Sequence, residues 1–519
     1  MLGDSTPAIL DFRTAARSRP PSRCHQSTSM DYETVIGLEV HVQLKTQSKM
    51  FCSCRADYQT APVNSRVCPV CLGLPGTLPV INKKAVEYTI MTGLALGCEI
   101  PELTKFDRKN YPYPDLMKGY QISQYDMPLA MNGILDITAD GQDRRVRVER
   151  VHLEEDVSKL QHVNGGSSDA HSLVDVNRSG VPLMEVVSHP DMRTPEEARS
   201  YLTKLHSILQ YLGVSTAKAA DGSFRCDANI SLRPVGQEEY GTKAEIKNMN
   251  SMRSVVLALD HEIKRQKKVL DSGERVVQET RGWSEERGVT YSQRSKEDAH
   301  DYRYFPEPDL PPLVVDQAWV EEIRSKIPEL PADRLKGLMD DYGLPEYDAR
   351  LLTNSKAMAD FYEQAVGIRS KGEGNGQKFA KDVSNWILGD LSRLLNLQGS
   401  EIDESPVSPE HLVELIDLVD RETVSVSMAK TVLEEAFESG SSPAQIVQEK
   451  GYTQISDSSA VDLAVNEAIE ANPQAVADYI GGKETAAKFL VGQVMKITKG
   501  QAKPDLVNEL VAGALEKLK

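Results

Sequence analysis

The chain has 519 residues, more than the roughly 250–300 that one hydrophobic core serves, so two or three domains are expected. Its hydrophobic content is 40% and its mean hydropathy −0.40, and no apolar run approaches the ~18 residues of a membrane span. With 77 acidic against 60 basic residues the formal charge is −17, which excludes non-specific nucleic-acid binding through bulk electrostatics; an RNA partner must be met by a local basic patch.

Residues 1–29 carry Arg13, Arg17, Arg19 and Arg23 among serines and threonines. Despite Asp4 and Asp11 they resemble an organelle transit peptide and predict import into the mitochondrial matrix; a disordered tail is the alternative. The stretch ETVIGLEVHVQLK, residues 33–45, then alternates. Leu38, Val40, Val42 and Leu44 fall on one parity and Glu39, His41, Gln43 and Lys45 on the other, the pattern of a half-buried strand. Glu39 and His41 project the same way, about 6–7 Å apart at the backbone, a spacing suited to a shared metal ion or phosphate. A solvated sheet face is the alternative.

Four of the seven cysteines, Cys52, Cys54, Cys68 and Cys71, lie within twenty residues. Two close pairs can supply four thiolates to one tetrahedral Zn²⁺ of structural type, although the first arm is C-x-C rather than the commoner C-x-x-C. Downstream, KFDRKNYPYPDLMKGYQISQ at 105–124 interleaves Lys105, Arg108, Lys109 and Lys118 with Tyr111, Tyr113 and Tyr120. These are groups for neutralising a polyphosphate and stacking on a base. HLEED at 152–156 and DVNRSGVPLMEV at 175–186 add carboxylates. Carboxylates from separate segments together with one histidine suit a hard cation such as Mg²⁺. GGSSDA at 165–170 reads as a turn.

TPEEARSYLTKLHSILQYLG predicts a helix capped by Thr194, with Pro195 at N1, Glu197 closing a capping box and Gly213 at the stop. Tyr201, Leu202, Leu205, Ile208, Leu209 and Leu212 form its buried stripe, and His206 beside them reads as packing. RCDANISLR is a second clear strand, with Cys226, Ala228, Ile230 and Leu232 on one face and Arg225, Asp227 and Asn229 on the other.

Up to about residue 315 this is an α+β pattern. After the proline-rich YFPEPDLPPL, residues 304–313, nearly every segment has helical period, and prolines punctuate short helices. The expected division is a catalytic domain at 30–318 with mostly antiparallel sheet, a helical domain at 319–405 and a helical tail at 406–519. Residues 483–519 hold seven lysines against four acidic residues. There, a helix with Phe489, Leu490 and Val494 buried would leave Lys488, Lys496 and Lys499 free for the phosphates of an RNA partner. No P-loop or Rossmann glycine motif occurs.

Long ordered stretches, among them ETVIGLEVHVQLKTQSKMFC, KFDRKNYPYPDLMKGYQISQYDMPL, VHLEEDVSKL, LVDVNRSGVPLMEVVSHPDMRTPEEA, GSFRCDANISLRPVG and FLVGQVMKITKGQAKP, resemble the B subunits of GatCAB-type glutamyl-tRNA(Gln) amidotransferases from about residue 32 to the C-terminus. The resemblance implies a cradle-shaped N-terminal catalytic domain, a helical domain and a tail related to the YqeY proteins. It also implies a reaction in which ATP, with Mg²⁺, converts the side chain of glutamate misattached to tRNA(Gln) into an acyl phosphate that ammonia then displaces. It assigns Glu39, His41, Glu154 and Glu155 to the metal and phosphoryl-transfer site. Lys109 and Lys118 resemble positions along the ammonia passage, though their charge would equally serve phosphate. Arg225, Asp227 and Asn229 become contacts for nucleotide or acyl end. The implied partners are an amidase-type A subunit that releases ammonia from glutamine, a small third subunit and misacylated Glu-tRNA(Gln). Two rival readings are a non-catalytic tRNA-binding scaffold and a metal-dependent hydrolase.

Overall fold

The computed structural model describes residues 31–163, 171–219, 221–295, 302–369, 376–452, 458–483, 485–498 and 501–518. The transit-peptide segment, the turn at 165–170 and Lys499 lie outside them.

In chain order the first strands are β1 (Tyr32–Gln43), β2 (Leu103–Thr104), β3 (Asp107–Asn110), β4 (Tyr120–Ser123) and β5 (Ala130–Ala139). There follow β6 (Gln142–Glu155), β7 (Lys159–Val163), β8 (His171–Asp175), β9 (Pro182–Ser188) and β10 (Phe224–Pro234). The last are β11 (Ala244–Met249), β12 (Glu279–Ser284), β13 (Val289–Ser295), β14 (Phe305–Pro306) and β15 (Leu313–Val314). Eleven of these make one sheet in the order β13-β12-β11-β10-β1-β9-β6-β4-β3-β14, with β5 also on β6. Every pairing in it is antiparallel except β11 with β12. The α+β architecture, with a large and mostly antiparallel sheet, is as expected from the sequence. The β5–β6 hairpin closes through Asp140 and Gly141, at φ 50° and 74°, the pair of left-handed residues that a two-residue turn matching strand twist demands.

The alternation in β1 decides which side of the sheet is the core. Leu38, Val40, Val42 and Leu44 are buried, and they join Val151 and Leu153 of β6, Met184 and Val186 of β9 and Ala228 and Ile230 of β10. Three helices cover this face: α1 (Lys83–Ala95), α2 (Pro195–Leu212) and α3 (Met252–Asp271). Helix α2 begins as its signals predict, with the Glu197 N–H donating to Thr194 Oγ1 at 3.1 Å, and ends at Gly213 with φ 66°. Its six predicted stripe residues are buried. The Glu197 carboxylate does not close the box on Thr194. It accepts from the Arg193 N–H one residue earlier, at 2.6 Å, because the Arg144 guanidinium holds its other oxygen at 2.7 Å. His206 does pack: it bonds the Ala217 carbonyl at 2.9 Å and meets Phe224 edge-on.

Beyond residue 330 the described elements are helical, and Pro331, Pro409, Pro443, Pro473 and Pro504 each open a helix at its first positions, where the missing N–H costs nothing. These helices form two separate cores. One runs from Leu338 to Val447 and the other from Val461 to Leu515. The expected boundary near 405 therefore falls inside a packed core, since Leu412, Val432 and Ile446 belong to the same cluster of buried residues as Leu352 and Tyr362. Loop composition at SPVSPE resembled a linker because it holds two prolines, but the second of them only starts the next helix. In the last core Leu490 and Val494 are buried while Phe489 is 49% exposed. The stripe follows Ala486, Leu490 and Val494 at four-residue spacing, which turns Phe489 outward.

Candidate functional site

The face of the sheet opposite the helices is polar, and strand register assembles it. Antiparallel pairing sets His41 opposite both Glu185 of β9 and Arg225 of β10, and sets Glu39 opposite Asp227. Glu185 in turn faces His152 of β6, and Glu154 faces Ser123 of β4. Residues opposite each other in a ladder share a face, so a band of polar groups, ionisable on four of the strands, crosses five strands without any loop having to position it.

At its centre His41 Nε2 lies 3.5 Å from Glu185 Oε2 and 3.8 Å from Glu154 Oε1. His152 Nε2 lies 3.1 Å from the same Glu185 oxygen. Both carboxylates are buried and the His41 side chain is 19% exposed, so the cluster opens to solvent on the imidazole side. Burial alone would lower the His41 pKa, but the Glu185 and then the Glu154 carboxylates outweigh it and raise it to about 9. Glu185 responds in the opposite sense: burial pushes its pKa up, while His152 and His41 hold it well below the usual range. Lys109 also has a raised pKa, because Glu154 more than offsets its burial, and its ammonium stands 5.0 Å over the Tyr302 ring. Glu39 goes the other way. Burial first, then the neighbouring Glu185 and Glu245 charges, raise its pKa, and the Asn229 amide donates to it at 2.8 Å.

His41, Glu154 and Glu185 each offer a ligand atom, all within 4.8 Å of one another. Cis ligands around a cation with bonds of about 2.1 Å sit about 3 Å apart, so small side-chain contractions would close the trio on Mg²⁺. Two buried carboxylates converging on one imidazole are a donor set of the right hardness, and the set fits. The four cysteines fit Zn²⁺ as well: their sulfurs lie within 4.8 Å of one another, and Cys68 and Cys71 Sγ are 3.8 Å apart. That is about the edge of a tetrahedron with Zn–S bonds of about 2.3 Å. Asn177, fully buried, holds this module to the sheet domain by donating to the Pro62 carbonyl and accepting from the Arg66 N–H, both at 2.7 Å.

Of the residues singled out in the sequence, the polar face thus carries Glu39, His41, Glu154, Lys109, Arg225, Asp227 and Asn229. Arg225 is engaged by the buried Asp156 at 3.1 Å and Asp227 by Lys247 at 2.7 Å. Glu155 and Lys118 are not with them. One step along β6 from Glu154 reverses the side chain, and Glu155 pairs with Lys118 at 2.6 Å on the side of the helices. There the two line a cavity of about 220 Å³ with Phe51, Cys52, Cys71 and Tyr120. Lys105 and Arg108 are occupied by carboxylates, Asp107 and Asp126 for the first and Glu307 for the second.

The sequence patterns held Glu185 and His152 only inside the segments DVNRSGVPLMEV and HLEED, without singling either out, and did not point to Lys247. The signal for Glu185 was present: PLMEVVS is a strand whose seven residues are all buried, and a carboxylate inside such a run needs a partner of opposite charge or a metal.

Residues 34–321 match the model of the GatB/GatE catalytic domain. The chain belongs to that family. Residues 361–515 match a second model described as the GatB domain, which covers most of the first helical core and all of the second. Among curated family members, the B subunit of the aspartyl/glutamyl-tRNA(Asn/Gln) amidotransferase of Carboxydothermus hydrogenoformans is 56% identical over 488 residues, 94% of this chain and 100% of that protein. The protein of the same name from Dehalococcoides mccartyi strain CBDB1 is 55% identical over 488 residues, 94% of this chain and 99% of its own length. That from Moorella thermoacetica is 55% identical over 482 residues, 93% and 99% of the two chains.

Proposed function

We propose that this chain is the activating and amidating subunit of a tRNA-dependent amidotransferase, a glutamine-dependent ligase that consumes ATP. Its substrate is glutamate misattached to tRNA(Gln), with aspartate on tRNA(Asn) as the second candidate that the relatives' name supplies. The carrying observation is the trio of His41, Glu154 and Glu185 beside Lys109 on the open face of the sheet.

A carboxylate is a poor electrophile, because attack on it would have to expel oxide. The side chain must first be phosphorylated by ATP and the acyl phosphate then displaced by ammonia. Magnesium, held by His41, Glu154 and Glu185, would supply charge neutralisation on the transferring phosphoryl group. His41 gives up its proton to serve as a ligand. Glu185 keeps its orientation through His152, and Lys109 puts a positive charge beside Glu154 where phosphate charge accumulates. Arg225, Asp227 and Asn229 border the same face and are suited to nucleotide or acyl-end contacts. Lys118, behind the strand with Glu155, is placed for the route by which ammonia arrives rather than for phosphate. The Cys52, Cys54, Cys68 and Cys71 module is a closed structural zinc site.

Ammonia protonates in bulk water, so its source is an amidase-type A subunit docked on this chain, with a small third subunit bracing the pair. The last helical core is the tRNA-contacting tail. The arginine-rich, serine-rich residues 1–29 support import into the mitochondrial matrix and a role in translation there, although the relatives named above are bacterial.

Reconstitution with an A subunit, glutamine, ATP and each misacylated tRNA, followed by analysis of the attached amino acid, tests the reading. Glutaminyl-tRNA should form with the native chain and not with His41→Ala, while glutamine hydrolysis by the partner persists. Undiminished amidation by His41→Ala would remove the site assignment, and ATP consumption without any tRNA would favour a hydrolase.

A further inference from the structure

Lys49 is completely buried. Its ammonium has one hydrogen bond in the structure, to the Arg66 carbonyl at 2.8 Å, and among the described residues no carboxylate comes within salt-bridge distance of it. A buried lysine is seldom left without an opposite charge, because desolvating the ammonium is otherwise uncompensated. Its surroundings show where that charge can come from. The Lys49 N–H donates to the Cys54 carbonyl at 2.9 Å, so its backbone belongs to the first cysteine arm. Arg66, which receives its ammonium, is two residues before Cys68. At Gly180, held at φ 82°, a Cβ would lie 3.5 Å from Lys49 Cδ, 3.7 Å from Cys71 Cβ and 3.9 Å from Glu155 Oε2. The lysine stem and Cys71 therefore flank the same glycine. Glu155 already has a cation of its own: its Oε1 takes the Lys118 ammonium at 2.6 Å and the Ile122 N–H at 3.0 Å, while its Oε2 faces Gly180. The nearby source of negative charge that no other cation balances is sulfur. Four thiolates on a dication leave the cluster doubly negative, and a half-buried cluster of that charge needs a nearby cation.

We propose that Lys49 is the built-in counter-ion of a tetrathiolate zinc site formed by Cys52, Cys54, Cys68 and Cys71. The pairing is mutual. Without metal, protonated thiols leave the ammonium alone in the interior; with metal, ammonium and cluster neutralise one another. The hydrogen bond to Arg66 aims the charge from the backbone of the second arm. The assignment is independent of the amidation reading and concerns metal retention alone.

The experiment uses the full-length chain and three variants, Lys49→Met, Lys49→Gln and Lys49→Arg. Zinc affinity is measured by competition with a chromophoric chelator, and urea midpoints are measured with zinc bound and after its removal. Lys49→Met and Lys49→Gln should bind zinc at least about ten-fold more weakly, the scale of outer-shell effects on metal sites. Lys49→Arg, which keeps the charge, should stay within about three-fold of the native chain. With zinc bound the native chain should have the higher urea midpoint than Lys49→Met; with zinc removed the order should reverse, because the variant no longer buries a lone charge. Glutamine can keep the hydrogen bond to Arg66 without charge, so native zinc affinity in Lys49→Gln overturns the proposal, even if Lys49→Met fails to fold. Equal losses of urea midpoint in the loaded and metal-free states would also overturn it, making the lysine a packing element.

Discussion

Replacing Glu185 by Gln keeps the shape of the side chain and removes the charge that two histidines share. In the metal-free chain His41 is raised from about 6.5 to about 9, which at ~1.4 kcal/mol per pKa unit amounts to roughly 3 kcal/mol of preference for the folded, protonated state. Glu185 is the largest contributor on the raising side, so Glu185→Gln should remove most of it and leave the weaker pull of Glu154 at 3.8 Å. The sign follows from linkage. A group with a raised folded-state pKa contributes stability that is complete below about pH 6.5 and is lost as pH rises through about 9. Glu185 itself, depressed when folded, contributes in full above its unfolded value of about 4.3 and loses that stability as pH falls below it. The stability gap between native chain and variant, measured by urea titration in the presence of chelator, should therefore be widest near pH 5–6 and shrink towards pH 9–10. Selective labelling of histidine, with His41→Gln for assignment, should show its titration moving down by more than one unit. Because the metal competes with the His41 proton, magnesium affinity of the native chain should rise across the same interval. A gap that stays flat from pH 5 to 10, with His41 titrating near 6.5 in both proteins, would refute the electrostatic account of the site.

Glu155→Gln should destabilise the chain by about 3–5 kcal/mol, because it leaves the Lys118 ammonium without its carboxylate in a largely buried cavity; urea midpoints at pH 7 check this, and the double substitution with Lys118→Met should recover much of the loss. Cys68→Ser with Cys71→Ser should abolish zinc in elemental analysis and lower the thermal midpoint, with glutamyl phosphate formation per folded molecule affected far less. Removing residues after about 455 should leave the sheet domain and the core at 338–447 cooperatively folded. It should also weaken tRNA binding and flatten its salt dependence, since exposed Lys488 and Lys496 are lost; an unchanged affinity and salt slope would move tRNA recognition to the polar sheet face.

The two-faced strand of residues 33–45 was legible because period-two alternation is a direct image of burial, and helix α2 because its caps are local. What escaped was long-range. Register between strands distant in the chain brings Glu185 to His41, and no local pattern encodes which residues will face each other across a ladder. Glu154 and Glu155 looked like a matched acidic pair, but adjacency in a strand means opposite sides. The buried cluster that spans residue 405 was hidden for a related reason: prolines mark where helices start, and only packing shows which helices share an interior.

The alternation at the end of β6 has a mechanical meaning for the molecule. Glu154 and Glu155 are carried by a single peptide unit, so the strand acts as a dividing wall with one room on each side, a room lined by His41 and Glu185 and a cysteine-lined room containing Lys118. Neither room can be remodelled alone. Any tilt or shift of that peptide aims both carboxylates anew, and a single residue inserted or deleted beside it would exchange which room each one enters.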